Sequence, residues 1–197
     1  MNSQPGKSAL DDFASSRAAL SLAFSWALAE ATFFFIVPDV LLTLIACRAI
    51  RPALRATGAA LAGALAGGAV MYAFGMREPD AARRLLDHIP AISPALIATV
   101  TDQISGRGLL AVLLGPMKGI PYKIYAVEWG ATERSFVALM LISVPARYAR
   151  FLLATVAARG IARAIEPLTH RRAAIEVAIL AIVWIAFYSF YFSRFGF

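Results

Sequence analysis

The sequence predicts an all-α, polytopic membrane protein: two proline-broken re-entrant hairpins in an inverted repeat, plus about three to four membrane-spanning helices. Three observations predict it. Apolar residues make up 60% of the 197-residue chain and charged residues only 16%, against about 45–50% and about 25% in a soluble domain. Mean hydropathy is +0.69, and apolar runs long enough to cross a bilayer recur, with room for about five or six crossings. Two of those runs are cut by prolines and carry ionisable side chains, the mark of helices interrupted at membrane depth.

The charge balance, 19 basic against 12 acidic residues, suits the Lys- and Arg-rich flanks of membrane helices. Nucleic acid is not expected as a partner, because no basic face interleaved with aromatics lies outside the apolar runs. A single cysteine, Cys47, excludes an internal disulfide and reads as packing.

Residues 1–17 form a polar N-terminal arm, and residues 18–197 a single membrane domain. Ala27-Leu28-Ala29 has the form of a signal cleavage site, but the apolar stretch before it is short and Asp11 and Asp12 spoil a basic start, so no cleavage is expected. The first hairpin, residues 18–47, contains Glu30, Pro38 and Asp39. Pro38 lacks a donor N–H and pushes Val37 out of helical geometry, so two half-length helices should meet near Val37-Pro38-Asp39. Arg17 and Arg48 mark its ends on one side. Residues 56–76 are an uncharged spanning helix, about 32 Å long, with Gly63 and Gly67 spaced for close helix packing.

Residues 77–107 are polar, cut by Pro79, Pro90 and Pro94, and read as one or two amphipathic helices; Ser93-Pro94 is a start signal and Ser105-Gly106 a stop. His88 and His170 lie outside the apolar runs and have no second ligand beside them, so neither metal nor cofactor is expected. The second hairpin, residues 109–130, holds Pro116, Lys118, Gly119, Pro121, Lys123 and Glu128, its turn falling at Pro116, Gly119 and Pro121. Residues 135–158 are a spanning helix with Pro145, Arg147 and Arg150. Residues 174–193 are the last, ending in Tyr188, Phe190, Tyr191 and Phe192, where an interfacial belt is expected.

Glu30, Asp39, Lys118, Lys123, Arg147 and Arg150 all fall within apolar runs. At about 2.5–3.5 kcal/mol each on insertion scales, they would cost roughly 15–20 kcal/mol if all faced lipid unpaired. One reading is mutual neutralisation inside the fold. The other is a hydrated cavity in which the bases grip an anionic group such as a phosphate and the acids exchange protons. Arg147 and Arg150, three apart, share a helix face. Glu128 is either a further acid near the second hairpin or an interfacial residue.

From Trp26 to Ile165 the chain resembles the DedA family, also called the VTT or SNARE-associated Golgi protein family. The resemblance rests on four stretches: Glu30 to Leu42 with its Pro38-Asp39 turn, the glycine-studded Gly58 to Gly75, Gly115-Pro116-Met117-Lys118-Gly119-Ile120-Pro121-Tyr122-Lys123 as the second hairpin of a Pro-Tyr-Lys branch, and Ala146-Arg147-Tyr148-Ala149-Arg150-Phe151. Lysines stand where the common branch carries an arginine pair, Glu128-Trp129 precedes Gly130 where small residues are usual, and Pro145 replaces a small residue. The resemblance implies opposed re-entrant hairpins and lipid transport in a bacterial inner membrane: return of undecaprenyl phosphate, or movement of a phospholipid, coupled to protons. It assigns Glu30 and Asp39 as proton-linked acids and Lys118, Lys123, Arg147 and Arg150 as contacts to the lipid phosphate. Its partners are then an anionic lipid and protons, and its action is transport, not catalysis. Left open are a small-ion or proton-coupled solute carrier, an intramembrane lipid phosphatase, and the oligomeric state, a homodimer among the options. The basic flanks place the N-terminus inside.

Overall fold

A computed structural model describes residues 9–165 and 172–195, the side chains of residues 9, 165, 172–176, 194 and 195 excepted. Residues 1–8 with Lys7, residues 166–171 with His170 and Arg171, and residues 196–197 lie outside the described residues. Every described element is helical. Helix α1 (Ala9–Ala14) lies within the polar arm, and α2 (Arg17–Thr32) begins at its last residue, where the Ser16 hydroxyl accepts the Ala19 N–H at 3.2 Å and caps the helix. After a turn over residues 33–38, α3 (Asp39–Arg48) starts on Pro38, with the Asp39 carboxylate in its first turn beside the helix dipole's positive end.

Extended backbone at Ala49 (φ −157°) then opens α4 (Ile50–Arg77). This helix starts six residues before the stretch 56–76 that its apolar run predicts, because Pro52 falls in the first turn, where its missing N–H has no partner to lose. The polar stretch folds as α5 (Pro79–Asp87) and α6 (Pro94–Arg107). Helix α6 is capped by Ser93 and stops at Gly108 rather than at Ser105-Gly106; Gly108 sits at φ +53°, a backbone state open to glycine.

The second broken stretch gives α7 (Leu109–Leu114), a 3-10 turn (Pro116–Lys118) closed by left-handed Gly119 (φ 87°), and α8 (Tyr122–Ala131). The chain continues as α9 (Phe136–Ile165), which passes through Pro145 without ending and outruns its sequence estimate by seven residues, and α10 (Arg172–Phe195). Among the described residues, α4 and α9 are long and apolar enough to cross a membrane; the apolar part of α10, Val177–Ser193, is shorter.

Helix α4 is the central post. Helix α2 lies along its first half and α8 along its second. Both approaches are too close for a side chain. A Cβ at Gly63 would overlap the Phe24 carbonyl, and one at Gly75 the Val127 carbonyl. Successive contacts advance together on both helices, Phe24 with Gly63 then Ala31 with Gly67, Tyr122 with Gly68 then Val127 with Gly75. Both α2 and α8 therefore run parallel to α4. Helix α9 runs antiparallel to it, from the Phe136–Tyr72 ring contact (5.2 Å) to the Thr155–Thr57 hydroxyl pair (3.1 Å).

Each broken unit leaves by the end it came from. At the α4 N-terminal end, Arg48 Nε donates to Asp11 Oδ1 at 2.8 Å, and Arg17 shares a surface hollow with Arg51 and Arg55. At the other end, α6 and α8 pack on one another. The units α2–α3–α4 and α7–α8–α9 thus have the same element order and opposite direction. Their turns approach head-on beside Gly67 and Gly68, midway along the post.

Candidate functional site

The cluster sits where the two turns meet. Helix α2 carries Glu30 to its last turn, α3 presents Asp39 as its first residue, and α8 presents Lys123 as its second. Helix α9 passes both turns and supplies Arg147 and Arg150 from one face. Arg147 Nη2 donates to Glu30 Oε2, both side chains being almost wholly buried at 1% and 6% exposure. Arg150 Nη2 donates to Asp39 Oδ2 at 2.6 Å. Lys123 Nζ donates to the Phe34 carbonyl in the first turn at 2.6 Å.

Aromatic rings complete the enclosure. The Arg147 guanidinium lies 5.2 Å from the Tyr122 ring centroid and 4.9 Å from that of Phe151; Arg150 lies 5.4 Å from Phe151. Such contacts compensate a cation partly stripped of water. The Tyr122 hydroxyl pairs with Ser143 at 2.7 Å, which leaves its ring face turned to Arg147.

Neutralisation is incomplete. Lys123, Arg147 and Arg150 outnumber Glu30 and Asp39 by one. Asp39 Oδ1, Arg147 Nε and Arg150 Nε are buried and have no hydrogen-bond partner. Buried polar groups seldom go unmatched, so a polar ligand or water fits here. A cavity of about 60 Å³ touches Glu30, Lys123, Arg147 and Arg150, room for water or a headgroup-sized anion but not for an apolar chain. It abuts an open groove of about 520 Å³ lined by Asp39, Lys118, Arg150, Trp184, Phe187 and Tyr191. Of the charged side chains that line them, Arg150 is common to both, and it is 23% exposed.

The sequence candidates divide accordingly. Glu30, Asp39, Lys123, Arg147 and Arg150 are brought together. Lys118 is exposed on the groove wall, outside the buried cluster, because the 3-10 turn that carries it projects from the second hairpin. Pro38 caps α3, and Pro116, Gly119 and Pro121 shape the second turn. Glu128 stands apart. It is fully buried on α8 and accepts from Arg83 Nε and Nη2, both at 2.8 Å, and from the Thr101 hydroxyl at 2.9 Å. It ties α5 and α6 to the second hairpin.

Sequence reasoning missed four contributors. Tyr188 was expected in an interfacial belt, but α10 runs antiparallel to α3 and carries it to the first turn, where its hydroxyl accepts the Val37 N–H at 2.8 Å. Tyr191, one turn on, lines the same cavity. Their spacing of three residues was the available signal, since it places both hydroxyls on one face. Tyr122 and Arg83 offered no such signal. His88 is a surface residue bonded to its own helix through the Arg84 carbonyl at 2.6 Å, and Cys47 packs buried against α9. Among the described residues, no group of three His, Cys, Asp or Glu side chains is placed to hold a metal ion.

Compared with known proteins, the chain matches no family model, no curated protein and no solved structure.

Proposed function

We propose that this protein is a membrane carrier of a phosphate-bearing lipid, with the two broken units inserted as opposed re-entrant hairpins from the two faces of the bilayer. The single observation that carries the reading is the buried cluster with one cation in excess, Lys123, Arg147 and Arg150 against Glu30 and Asp39, opening through Arg150 into a groove. Charges at membrane depth are tolerated where they pair or face water, and they mark transport pathways. Irregular backbone such as residues 33–38 and 115–121 survives there only when packed in protein or lining a cavity.

In this reading Lys118 on the groove wall meets the anionic headgroup first. Arg150 then exchanges Asp39 for the phosphate, by the charge-assisted geometry that guanidinium offers. Released Asp39, whose second oxygen already lacks a partner, takes a proton and keeps the site's charge balanced. Glu30 and Arg147 hold the floor of the site. At the opposite face the steps reverse: Asp39 gives up its proton, re-pairs with Arg150 and displaces the phosphate, which leaves the carrier empty. No bond to phosphorus is broken, so the action is transport without catalysis, and the DedA-like motifs agree with that assignment. The Arg-rich end at Arg17, Arg48, Arg51, Arg55, Arg159 and Arg163 faces the cytoplasm of a bacterial inner membrane.

The small inner cavity favours a second reading, a proton-coupled carrier of a small anion with no lipid attached, since about 60 Å³ admits a head and no tail. Reconstitution in liposomes decides between the two. Headgroup accessibility of a polyprenyl or diacyl phosphate is followed for wild type, Glu30→Gln, Asp39→Asn and Arg147→Ala. Movement by wild type that is lost in the variants supports lipid transport. Equal movement by all four defeats the site, and anion uptake without lipid movement selects the second reading.

A further inference from the structure

The cationic groove does not end at the charges. Beyond Ala154, Val183 and Trp184, which wall it, a second cavity of about 210 Å³ continues between α3, α9 and α10. Its lining is almost wholly apolar. The one hydroxyl there, on Thr43, is already occupied: it donates to the Asp39 carbonyl at 2.8 Å and accepts the Trp184 indole N–H at 3.1 Å. On α9 the wall includes Ala154, Ala158 and Ala162, spaced by four and so stacked on one helix face, with Ala157 and Ile161 beside them. Larger side chains in that row would close the slot. From Arg150 to Ala162 the wall runs roughly 18 Å along the helix.

We infer that this slot seats the apolar chain of the amphiphile whose anionic head is held at Arg150 and Lys118, the chain running along α9 between α3 and α10. The inference rests on the anionic-lipid reading and specifies it. A free anion has no use for the slot, whereas a lipid phosphate held by its head alone would leave its chain without a defined path. Head and chain sites meet at a single junction, Asp39 and Arg150 on one side and Ala154 and Trp184 on the other. Asp39 Oδ1, buried and unpartnered, marks where the polar half begins.

The test uses hexadecyl phosphate bearing a mid-chain diazirine, in phosphatidylcholine vesicles containing the full-length protein, with peptide mapping after photolysis. The matching diazirine alcohol is the uncharged control. The expected result is labelling of residues 154–162 and 179–184 by the phosphate probe, at least fivefold above the alcohol. Ala157→Trp, at the exposed lip of the slot, reduces that labelling at least fivefold while retention of the phosphate probe persists; Val156→Trp, on the neighbouring face, leaves both unchanged. Equal labelling by the alcohol means ordinary surrounding lipid and overturns the inference. Retained phosphate probe that labels elsewhere also overturns it, with the head site intact. Equal retention by wild type, Lys118→Ala and Arg150→Gln shows instead that the anionic-lipid reading has failed.

Discussion

Lys123 Nζ donates to the Phe34 carbonyl at 2.6 Å, joining the turns of two units 89 residues apart. This ammonium is 2% exposed and finds a carbonyl where a carboxylate could have stood. A hydrogen bond from a charged group contributes about 1.5–3 kcal/mol, while taking an ammonium out of water costs several. The desolvation cost wins. Lys123→Met should therefore leave thermal stability in detergent unchanged or raised, yet abolish retention of lipid phosphate. A drop in stability beyond about 2 kcal/mol would show that the bond holds the two turns together.

Arg147 and Glu30 present the opposite balance. Both are buried and bonded directly, and losing either leaves a buried charge without its ion-pair partner. Glu30→Gln or Arg147→Met alone should cost about 3–5 kcal/mol, and the double variant should recover most of that loss. A double-mutant cycle on unfolding in detergent measures it. Additive losses would mean that Arg147 is stabilised mainly by the Tyr122 and Phe151 rings.

How far these contacts were legible depends on their range. The breaks at Pro38 and Pro121 were readable because proline acts on its own neighbours. Helix bounds were less so: the uncharged run opens only at residue 56, although the first two turns of α4 take in Arg51, Pro52 and Arg55. That Arg147 meets Glu30 across 117 residues was not readable from pattern; only the insertion cost of lone charges said that partners must exist. Glu128 shows where that logic stops. It too needed a partner, but the cost of burying a carboxylate does not say whether the partner is the central cluster or Arg83 on a short polar helix.

The glycines of α4 should separate sharply on substitution. At Gly63 a methyl would meet the Phe24 backbone, which has no rotamer to escape into, whereas at Gly58 it meets nothing within 4 Å. Gly58→Ala should be neutral or stabilise by about 0.5–1 kcal/mol through helix propensity. Gly63→Ala should destabilise by about 1–3 kcal/mol as α2 is pushed from the post. Paired thermal melts in one detergent check the contrast, and equal effects would mean that α2 rides loosely on α4.

The Arg83–Glu128 pair should respond unequally to losing each partner. Arg83 is 39% exposed on its side chain, Glu128 is 0%. Glu128→Gln removes the buried charge, keeps the shape, and leaves Arg83 able to turn to water and to Asp80, 3.7 Å away. Arg83→Ala strands a buried carboxylate with only the Thr101 hydroxyl. The first change should cost about 1–2 kcal/mol and the second about 3–5 kcal/mol. Because the pair lies apart from the cluster, Glu128→Gln should still move lipid in the liposome assay. Loss of movement with the fold intact would place α5 and α6, and the tie they make to the second hairpin, within the transport cycle itself.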